Sequence, residues 1–321
     1  MKVHVRSALF ALAATLAPAT WAQEFPAKPI RILTPAAPGG TTDLLARLFG
    51  SRLGEKVKQQ VLVENRASAT GVVAGELTAN AAPDGYTLLL AYHQHTVNAA
   101  LNVPMPYHPV NSFTPVTQLT SAGLLLVVNP SSPPRTPQEF IEWTRKNPNQ
   151  SFGSAGIGSG GHMAGELYKL IAGTKAEHIP YKGTGPAMND LLGGRFEYNF
   201  SGIAAGLQLS RSGKLRAIAV TNPKRIEGAP DIPAMAEALP GFEVTGWYGV
   251  IGPAKIPAPV LKRLNDELVA ITKEPDIRKR ILNDGSEPVG SDPVTFRNFM
   301  LNDMNKWIKV AKEGNVKVEG L

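Results

Sequence analysis

Short apolar runs alternate with amphipathic segments along most of the 321-residue chain. The runs IRILTPA, YTLLLAY and LRAIAVT are rich in aliphatic and β-branched residues, a composition typical of buried strands. Between such runs, segments like the one from Asp43 to Val57 repeat apolar residues at helical spacing. Strand and helix alternate in two successive blocks, and the second block opens at GLLLVVNP. We therefore predict an α/β fold built from two lobes.

The C-terminal part of the chain is predicted to be helical. Its three helices lie in PAPVLKRLNDELVAITK, EPDIRKRILNDG and SDPVTFRNFMLNDMNKWIKVAKEG. In the last helix, Ser291 or Asp292 is the expected N-cap, Pro293 is the first helical residue and Gly314 ends the helix. We expect these three helices to pack onto the first block.

Two lobes suit the length of the chain, since roughly 300 residues after processing exceed one comfortable hydrophobic core. After YTLLLAY the sequence predicts a turn-rich crossing to the second block. We assign residues 23–122 and 245–321 to lobe one and residues 123–244 to lobe two. The segments around Ser121–Gly123 and Thr221–Thr245 would then act as hinges.

The N-terminus has the three parts of a secretory signal peptide. MKVHVR is short and basic, SALFALAATLA is apolar but too short to span a bilayer, and PATWA ends in small residues. We expect residues 1–22 to be removed by cleavage near Ala22 and the mature protein to lie in the periplasm. The chain has no cysteine, which excludes disulfides, thiolate metal ligands and a cysteine-linked lipid anchor.

The distribution of charge narrows the classes of partner. The formal net charge is +7, but the 33 Lys and Arg residues are scattered among 26 Asp and Glu residues. This scatter disfavours nucleic acid as a partner and favours a mild attraction for small anions. We expect a monomer that binds a small molecule.

Two glycine-rich loops are the strongest candidates for a ligand site, because each joins a strand to a helix. The first is TPAAPGGTTD, with Gly39 and Gly40 directly before the helix start, and the second is GSAGIGSGG. Both present unpaired backbone N–H groups and the positive end of a helix dipole, which favour an anion. One loop in each lobe suits a ligand held between the lobes.

The second loop also fits the dinucleotide pattern G-x-G-x-x-G through Gly156, Gly158 and Gly161. Three alternatives follow: a pyrophosphate, another anion such as a carboxylate, or a tight turn without a ligand. A dinucleotide site places a ribose-binding acid at the carboxyl end of the next strand. Glu177 stands at the front of strand EHIPY instead, which argues against a dinucleotide. We expect no cofactor.

The chain resembles the solute receptors of tripartite tricarboxylate transporters, also called Bug receptors. The resemblance covers essentially the mature chain and rests, in order, on FPAKPIRILTPAAPGGTTDLLAR, VLVENRASATGVVAGE, APDGYTLLL, FGSAGIGSGGHMAGELYKL, HIPYKGTGPAMNDLLGG, SGKLRAIAVT and GWYGVIGPAKIPAPV. It implies a two-lobed periplasmic binding protein that holds a carboxylate between the PGG and GSAG loops and delivers it to a membrane permease. The ligand-binding residues that it implies are Gly39, Gly40, Thr41, Thr42, Asp43, Ser154, Ala155, Gly156 and Ser159.

An exported enzyme acting on a carboxylate is the alternative class. Neither Ser154 nor Ser159 lies in G-x-S-x-G, and His162, three residues after Ser159, has no third orienting group in view. We therefore expect no catalysis. His93 and His95 would share one face of an extended strand, as some metal sites require, but no third ligand lies nearby in sequence. We expect no metal.

Departures from the family pattern bear on the ligand. Tyr92 and His93 are rings where relatives carry small residues, and Trp247 and Tyr248 lie on the hinge side of the expected cleft. Ser201 stands where many relatives have a carboxylate or amide, so an amino group on the ligand would lack an acidic partner. We add Tyr92, His93 and Ser201 to the ligand-binding residues. Our hypothesis is an aromatic carboxylate of the benzoate or phthalate type; the alternative is a citrate- or succinate-like acid.

Overall fold

The structure is a computed structural model, and it confirms a two-lobed α/β fold. It describes residues 25–39, 41–68, 70–181, 183–314 and 316. The predicted signal peptide and Gly40 lie outside the described residues. Within the described part, none of the helices is both long and apolar enough to cross a membrane.

Strands and helices alternate as the apolar pattern predicts. The strands are β1 (Ile30–Thr34), β2 (Val61–Asn65), β3 (Thr87–Tyr92), β4 (Phe113–Val128), β5 (Gln150–Ser154), β6 (Ala176–Pro180), β7 (Tyr198–Gly202), β8 (Arg216–Val220), β9 (Thr245–Pro253) and β10 (Glu287–Pro288). The helices are α1 (Thr41–Val57), α2 (Val72–Ala79), α3 (Gln94–Ala100), α4 (Pro137–Lys146), α5 (Gly160–Ala172), α6 (Thr184–Leu192), α7 (Ile203–Arg211), α8 (Ala258–Thr272), α9 (Pro275–Asn283) and α10 (Pro293–Glu313).

One long strand, β4, belongs to the sheets of both halves of the molecule. Its first part pairs antiparallel with β9 from Phe113 to Gly123, and its second part, from Leu124, pairs with β7 and β8. Strands β1, β2 and β3 lie parallel beyond β9, and β5 pairs in parallel with both β6 and β7. The order across the sheets is β2-β1-β3-β9-β4-β7-β5-β6, so β4 and β9 occupy the centre.

The predicted turn-rich crossing after YTLLLAY is wrong where it covers FTPVTQLT, which forms the first part of β4. A strand with Pro115 in it breaks the usual rule, because proline cannot donate to a ladder. The register between β4 and β9 shifts between Pro115 and Thr117, and this irregularity accommodates the missing N–H group. Burial of most of this segment supplies the stabilisation that the local sequence does not indicate.

The segment after β3 also differs from the prediction. The extended strand expected to carry His93 and His95 ends at Tyr92, and His93 is the N-cap of helix α3. His95 lies inside that helix, where its Nε2 is 2.8 Å from the carbonyl oxygen of Pro109 and its ring stacks on Tyr107. The two imidazoles therefore do not share one face of a strand, and the geometry assumed for a metal pair is absent at this segment.

The C-terminal helices pack differently from one another. Helices α8 and α9 join the core formed by β1, β3 and α1, as expected. Helix α10 begins at the predicted cap, where the Asp292 carboxylate accepts two backbone N–H groups. Its first half, with Phe296 and Met300, packs in the first-lobe core, whereas Trp307 and Val310 pack in the core around β5, β7 and α5. Helix α10 thus contacts both lobes rather than the first block alone.

Candidate functional site

The first glycine loop is held from behind by Asp43. Its carboxylate, on a residue only 2% exposed, accepts hydrogen bonds from the Gly39 backbone (2.9 Å), Arg47 Nε (3.1 Å) and Asn65 Nδ2 (2.8 Å). The Arg47 hydrogen bond lowers the pKa of Asp43 to about 2, reinforced by Gly39 and Asn65 and opposed by burial. Asp43 is therefore a charged anchor whose oxygens already have partners in the loop, in α1 and in β2.

The two threonines at the start of α1 face the other side of that loop. Thr41 is exposed and Thr42 is buried, and both hydroxyls lie close enough to the phenol of Tyr248 on β9 to influence its pKa. Burial raises the pKa of Tyr248 to about 12, Tyr92 acts in the same direction, and the threonine hydroxyls oppose them. The phenol therefore keeps its proton and remains available as a hydrogen-bond donor.

Tyr92 and His93 stand at the end of β3, next to Tyr248. The rings of Tyr92 and Tyr248 stack at 6.3 Å with an interplanar angle of 19°, and His93 meets Tyr92 edge-on at 5.3 Å. Burial lowers the pKa of His93, against the opposing charge of Asp303. The three rings form a small aromatic cluster where β3 pairs with β9.

Two serines of the second glycine loop form hydrogen bonds with nearby backbone groups. Ser154, 1% exposed, accepts a hydrogen bond from the Gly156 backbone (3.1 Å) and approaches the Gly156 carbonyl (3.0 Å). The Ala155 carbonyl accepts from the Gly183 backbone, and Ser159 caps α5 by accepting from His162 N at 3.4 Å. Gly156 has φ +132°, a conformation open to glycine, and a side chain there would meet the Tyr181 carbonyl. The two serine hydroxyls therefore bind the backbone of the loop and of the start of α5.

Ser201 lies apart from the loops. It is 2% exposed, and its hydroxyl approaches the carbonyl oxygens of Leu125 (3.4 Å) and Gly202 (3.3 Å). The hydroxyl also sits against Gly206 of α7, where an added side chain would collide with it. The side chain of Ser201 therefore packs under α7, while its neighbour Gly202 reaches the cleft.

A cavity of about 440 Å³ lies between the lobes, against β4 and β9. Of the residues predicted from sequence, Thr41 and His93 line it, together with Tyr248. The rest of its wall is largely apolar and includes Leu44, Leu48, Val97, Leu124, Met163 and Ile203, with Arg280 and Asp284 as further polar members.

The apolar wall was missed at the sequence level. Leu44 is 46% exposed and lies one helical turn before Leu48, so the two form a second apolar stripe on α1 beside the stripe of Leu45 and Phe49 that enters the core. This double stripe was a signal in the sequence. Met163 and Ile203 carried no such signal, because each stands in a segment whose apolar residues also fill the core of lobe two.

Three helices of nine residues or more begin at the cavity. Thr41 opens α1, Gly160 opens α5 and Ile203 opens α7, and all three residues line the cavity wall. Each helix start carries unpaired N–H groups and a partial positive charge. The cavity thus combines apolar walls with three sources of positive potential from two lobes.

Comparison with known proteins assigns the family. Residues 45–316 match the family described as tripartite tricarboxylate transporter family receptor. The chain belongs to this family. BugT of Bordetella pertussis is 32% identical to the receptor over 315 residues, which are 97% of each chain. The family relationship makes the receptor a periplasmic solute-binding protein.

Two solved structures of relatives contain ligands. Rpa4515 of R. palustris, with adipate, is 31% identical, with a TM-score of 0.74 over 91% of this chain and 99% of its own. MatC of Rhodopseudomonas palustris, with bound malate, is also 31% identical, with a TM-score of 0.68 over 89% of this chain and 99% of its own. The ligands named in these two relatives are both dicarboxylates.

One serine of the second glycine loop contacts a histidine, but this serine is buried. His162 Nδ1 accepts the backbone N–H of Gly158, and the buried hydroxyl of Ser154 lies 2.7 Å from His178 Nε2. A serine nucleophile must reach a substrate, and the burial of Ser154 denies it that access. Among the described residues, no group of three or more His, Asp or Glu side chains is placed to hold a metal ion.

Proposed function

We propose that the receptor captures a small carboxylate in the cavity between its lobes and presents it to a membrane permease. The observation that carries this proposal is the convergence of α1, α5 and α7, which begin at one mainly apolar cavity. The N-terminus of a helix attracts an anion without the help of a cationic side chain. The negative charge of Asp43 does not cancel this attraction, because Arg47 forms an ion pair with it. The adipate and malate held by two relatives support a carboxylate as the anion.

We further propose that the ligand is aromatic, of the benzoate or phthalate type. Its carboxylate would lie against Thr41 and the backbone of the two glycine loops, and its ring against Tyr248 and His93. Tyr92 stacks behind Tyr248 and would support the ring indirectly. The walls contributed by Leu44 and Met163 suit a ring better than the several hydroxyl and carboxylate groups of citrate.

Calorimetry on the mature protein tests this proposal with benzoate, terephthalate, adipate, malate, succinate, citrate and glutamate. We expect the aromatic acids to bind most tightly. Tyr248→Leu should weaken benzoate about tenfold, because ring contacts contribute about 0.5–1.5 kcal/mol beyond burial, and should change succinate little. Tight binding of an aliphatic acid with none of an aromatic acid would overturn the aromatic assignment but leave the carboxylate site intact.

A thermal or denaturant shift provides a second measurement. A cognate carboxylate at one hundred times its dissociation constant should raise the free energy of unfolding by about 2.7 kcal/mol. Nucleotides should have no effect. A response to NAD or ATP with none to any carboxylate would contradict the proposed function.

We infer that the receptor binds its ligand as a monomer and releases the ligand unchanged. We also infer that lobe one is formed by residues 23–122 and 245–321 and lobe two by residues 123–244. The burial of Ser154 supports binding without turnover. Native mass spectrometry should find one ligand on one chain, and chromatography should recover the same compound after prolonged incubation. A chemically altered product would favour the alternative, an exported enzyme acting on a carboxylate.

A further inference from the structure

Two histidines stack directly behind the second glycine loop. His162 lies on the first turn of α5 and His178 lies on β6, the strand at the edge of the sheet. Their ring centroids are 3.8 Å apart with an interplanar angle of 12°. Phe152 on β5 packs against both rings, at 5.0 Å from His178 and 6.5 Å from His162. The pair is thus fixed by three secondary-structure elements.

Each ring contacts a different end of the loop. At the far end, the Gly158 backbone N–H donates to His162 Nδ1 at 2.9 Å. At the near end, His178 Nε2 lies 2.7 Å from the hydroxyl of Ser154, which in turn accepts the Gly156 N–H. The loop therefore has one partner in the stacked pair where it leaves β5 and another just before it enters α5.

The contact at Gly158 requires a neutral imidazole. Nδ1 of His162 can accept a hydrogen bond only while it carries no proton, which places the ring proton on Nε2, toward Glu166. Glu166 Oε1 is 3.8 Å from that nitrogen, and Lys169 forms an ion pair with the same carboxylate at 2.9 Å. The nearest negative charge is therefore shared with a lysine, and the stacked His178 also disfavours a second positive charge. The surroundings therefore keep His162 in the neutral form that the Gly158 contact needs.

We propose that His162 and His178 are positioning residues for the ligand: the stacked pair clamps both ends of the GSAG loop so that the loop backbone and the start of α5 face the cleft. This inference rests on the proposed carboxylate site. Neither ring lines the cavity, whereas Gly160 at the start of α5 does, so the effect of the pair on a ligand would be transmitted through the loop to this helix start.

The clamp can be tested by separating its hydrogen bonds from its ring packing. Asparagine at position 162 can offer an acceptor close to Nδ1, and glutamine at position 178 can reach the place of Nε2, although both lose the ring. His162→Leu removes the acceptor, and His178→Phe keeps a ring but removes the hydrogen bond. His95→Leu serves as the matched control, because it deletes another buried, stacked histidine whose ring packs on Tyr107 and Phe113 rather than on His178.

With benzoate and adipate as calorimetric probes, we expect His162→Leu and His178→Phe to weaken binding about tenfold. His162→Asn and His178→Gln should stay within about twofold of the wild type, although losing a ring lowers their Tm. His95→Leu should lower Tm and leave affinity unchanged. Affinity that follows Tm across all five variants would reduce the two histidines to a structural role and overturn the proposal.

Amide hydrogen exchange at Gly158 supplies a measurement that needs no ligand. We expect faster exchange in His162→Leu than in His162→Asn, because only the leucine variant leaves the N–H group without an acceptor. Unchanged exchange in His162→Leu would overturn the clamp. A wild type that binds neither probe would instead count against the proposed function, and the exchange result would still decide whether the clamp exists.

Discussion

At the scale of single residues, buried polar side chains determine the shape of both glycine loops. Asp43 holds the first loop through Gly39, and Ser154 holds the second through Gly156. The sequence indicated these residues by type and place, since Asp and Ser commonly bond the backbone near helix starts. It could not distinguish a residue that touches a ligand from one that anchors the loop, because that depends on which way the side chain points after folding.

Replacing Asp43 tests its role as an anchor. Asp43→Asn removes the charge that Arg47 and the Gly39 N–H share, so the free energy of unfolding should fall by about 1–3 kcal/mol. The folded pKa of about 2 lies below the ordinary value of 3.8. The stabilisation by Asp43 is therefore present above pH 3.8 and is lost as pH falls through 2.

Urea unfolding at a series of pH values measures this effect. The difference in stability between wild type and Asp43→Asn should be constant at neutral pH and should shrink in the acid range. Asp266→Asn is the matched control, because Asp266 pairs with Lys262 on an exposed face of α8. An equal loss of stability in both variants would show that the hydrogen bonds of Asp43 to the loop stabilise the protein no more than an exposed ion pair does.

The two loop histidines predict a second dependence on pH. Burial lowers the pKa of His162 to about 3 and that of His178 to about 4, and the charge of Lys169 also lowers both pKa values. The carboxylate of Glu166 faces His162, with Oε1 3.8 Å from Nε2. Because unfolded histidine titrates near 6.5, the unfolded chain binds more protons than the folded chain between that pH and the folded values. The stabilisation is complete above pH 6.5 and declines as pH falls.

His162→Asn should reduce the number of protons taken up on unfolding in this pH range by about one. The slope of unfolding free energy against pH, measured by urea titration between pH 4 and 6, should be smaller in the variant by up to about 1.4 kcal/mol per pH unit. A slope identical to that of the wild type would mean that His162 titrates normally in the folded receptor.

At the scale of secondary-structure elements, the sequence predicted the helices and strands whose boundaries and apolar spacing are visible in consecutive residues. Helix α10 begins at Asp292 as its cap and Pro293 indicated, and both glycine loops join a strand to a helix. The first part of β4 escaped prediction because Pro115 and several polar residues hide a strand that is stabilised by neighbours distant in sequence. Helix α3 escaped because QHTVNAA is short and has no side-chain cap.

The contact of α10 with both lobes centres on Asp303. This carboxylate, on a residue 3% exposed, accepts hydrogen bonds from Trp247 Nε1 (3.1 Å), Trp307 Nε1 (2.9 Å) and Thr96 Oγ1 (2.7 Å). It thus joins strand β9, helix α3 and the second half of α10. A single side chain satisfies three buried donors at the boundary between the two cores.

Asp303→Ala should therefore be among the most destabilising substitutions in the receptor. It leaves two indole N–H groups without an acceptor, while the Thr96 hydroxyl can still donate to the His93 carbonyl oxygen at 2.8 Å, and we expect a loss of about 3 kcal/mol or more in urea unfolding. Asp303→Asn keeps one acceptor oxygen and should lose less. A loss in Asp303→Asn as large as that in Asp303→Ala would contradict this order and show that a single amide oxygen cannot replace the carboxylate.

At the scale of the whole molecule, the site exists only where distant segments meet. The cavity combines Leu44 near the N-terminus, Met163 in lobe two and Arg280 near the C-terminus. Each glycine loop could be recognised from a few consecutive residues, whereas the apolar wall follows from the way the lobes face each other across β4 and β9. This explains why the sequence indicated a carboxylate but gave a weaker basis for the rest of the ligand.

Gly123 is the last residue of β4 that pairs with β9 before the strand pairs with β7 and β8. Gly123, which pairs with Thr245 of β9, has no room for a side chain, because an added Cβ would lie 1.7 Å from Asn222 Oδ1. Gly123→Ala must therefore displace Asn222 or push the segments that carry Gly123 and Asn222 apart. We expect lower stability and, since the helix starts that face the cavity would no longer align, weaker binding of the carboxylate probes.

A double-mutant cycle separates this steric cause from a loss of backbone freedom. Asn222→Ala removes the obstructing atoms, so Gly123→Ala should cost much less in that background, with a coupling of about 1–3 kcal/mol. Small-angle scattering of the four proteins should show an altered radius of gyration in Gly123→Ala alone. Because Gly123 has an ordinary strand conformation, a double mutant as destabilised as the sum of its parts would contradict a clash at the hinge and imply that the strand itself requires glycine.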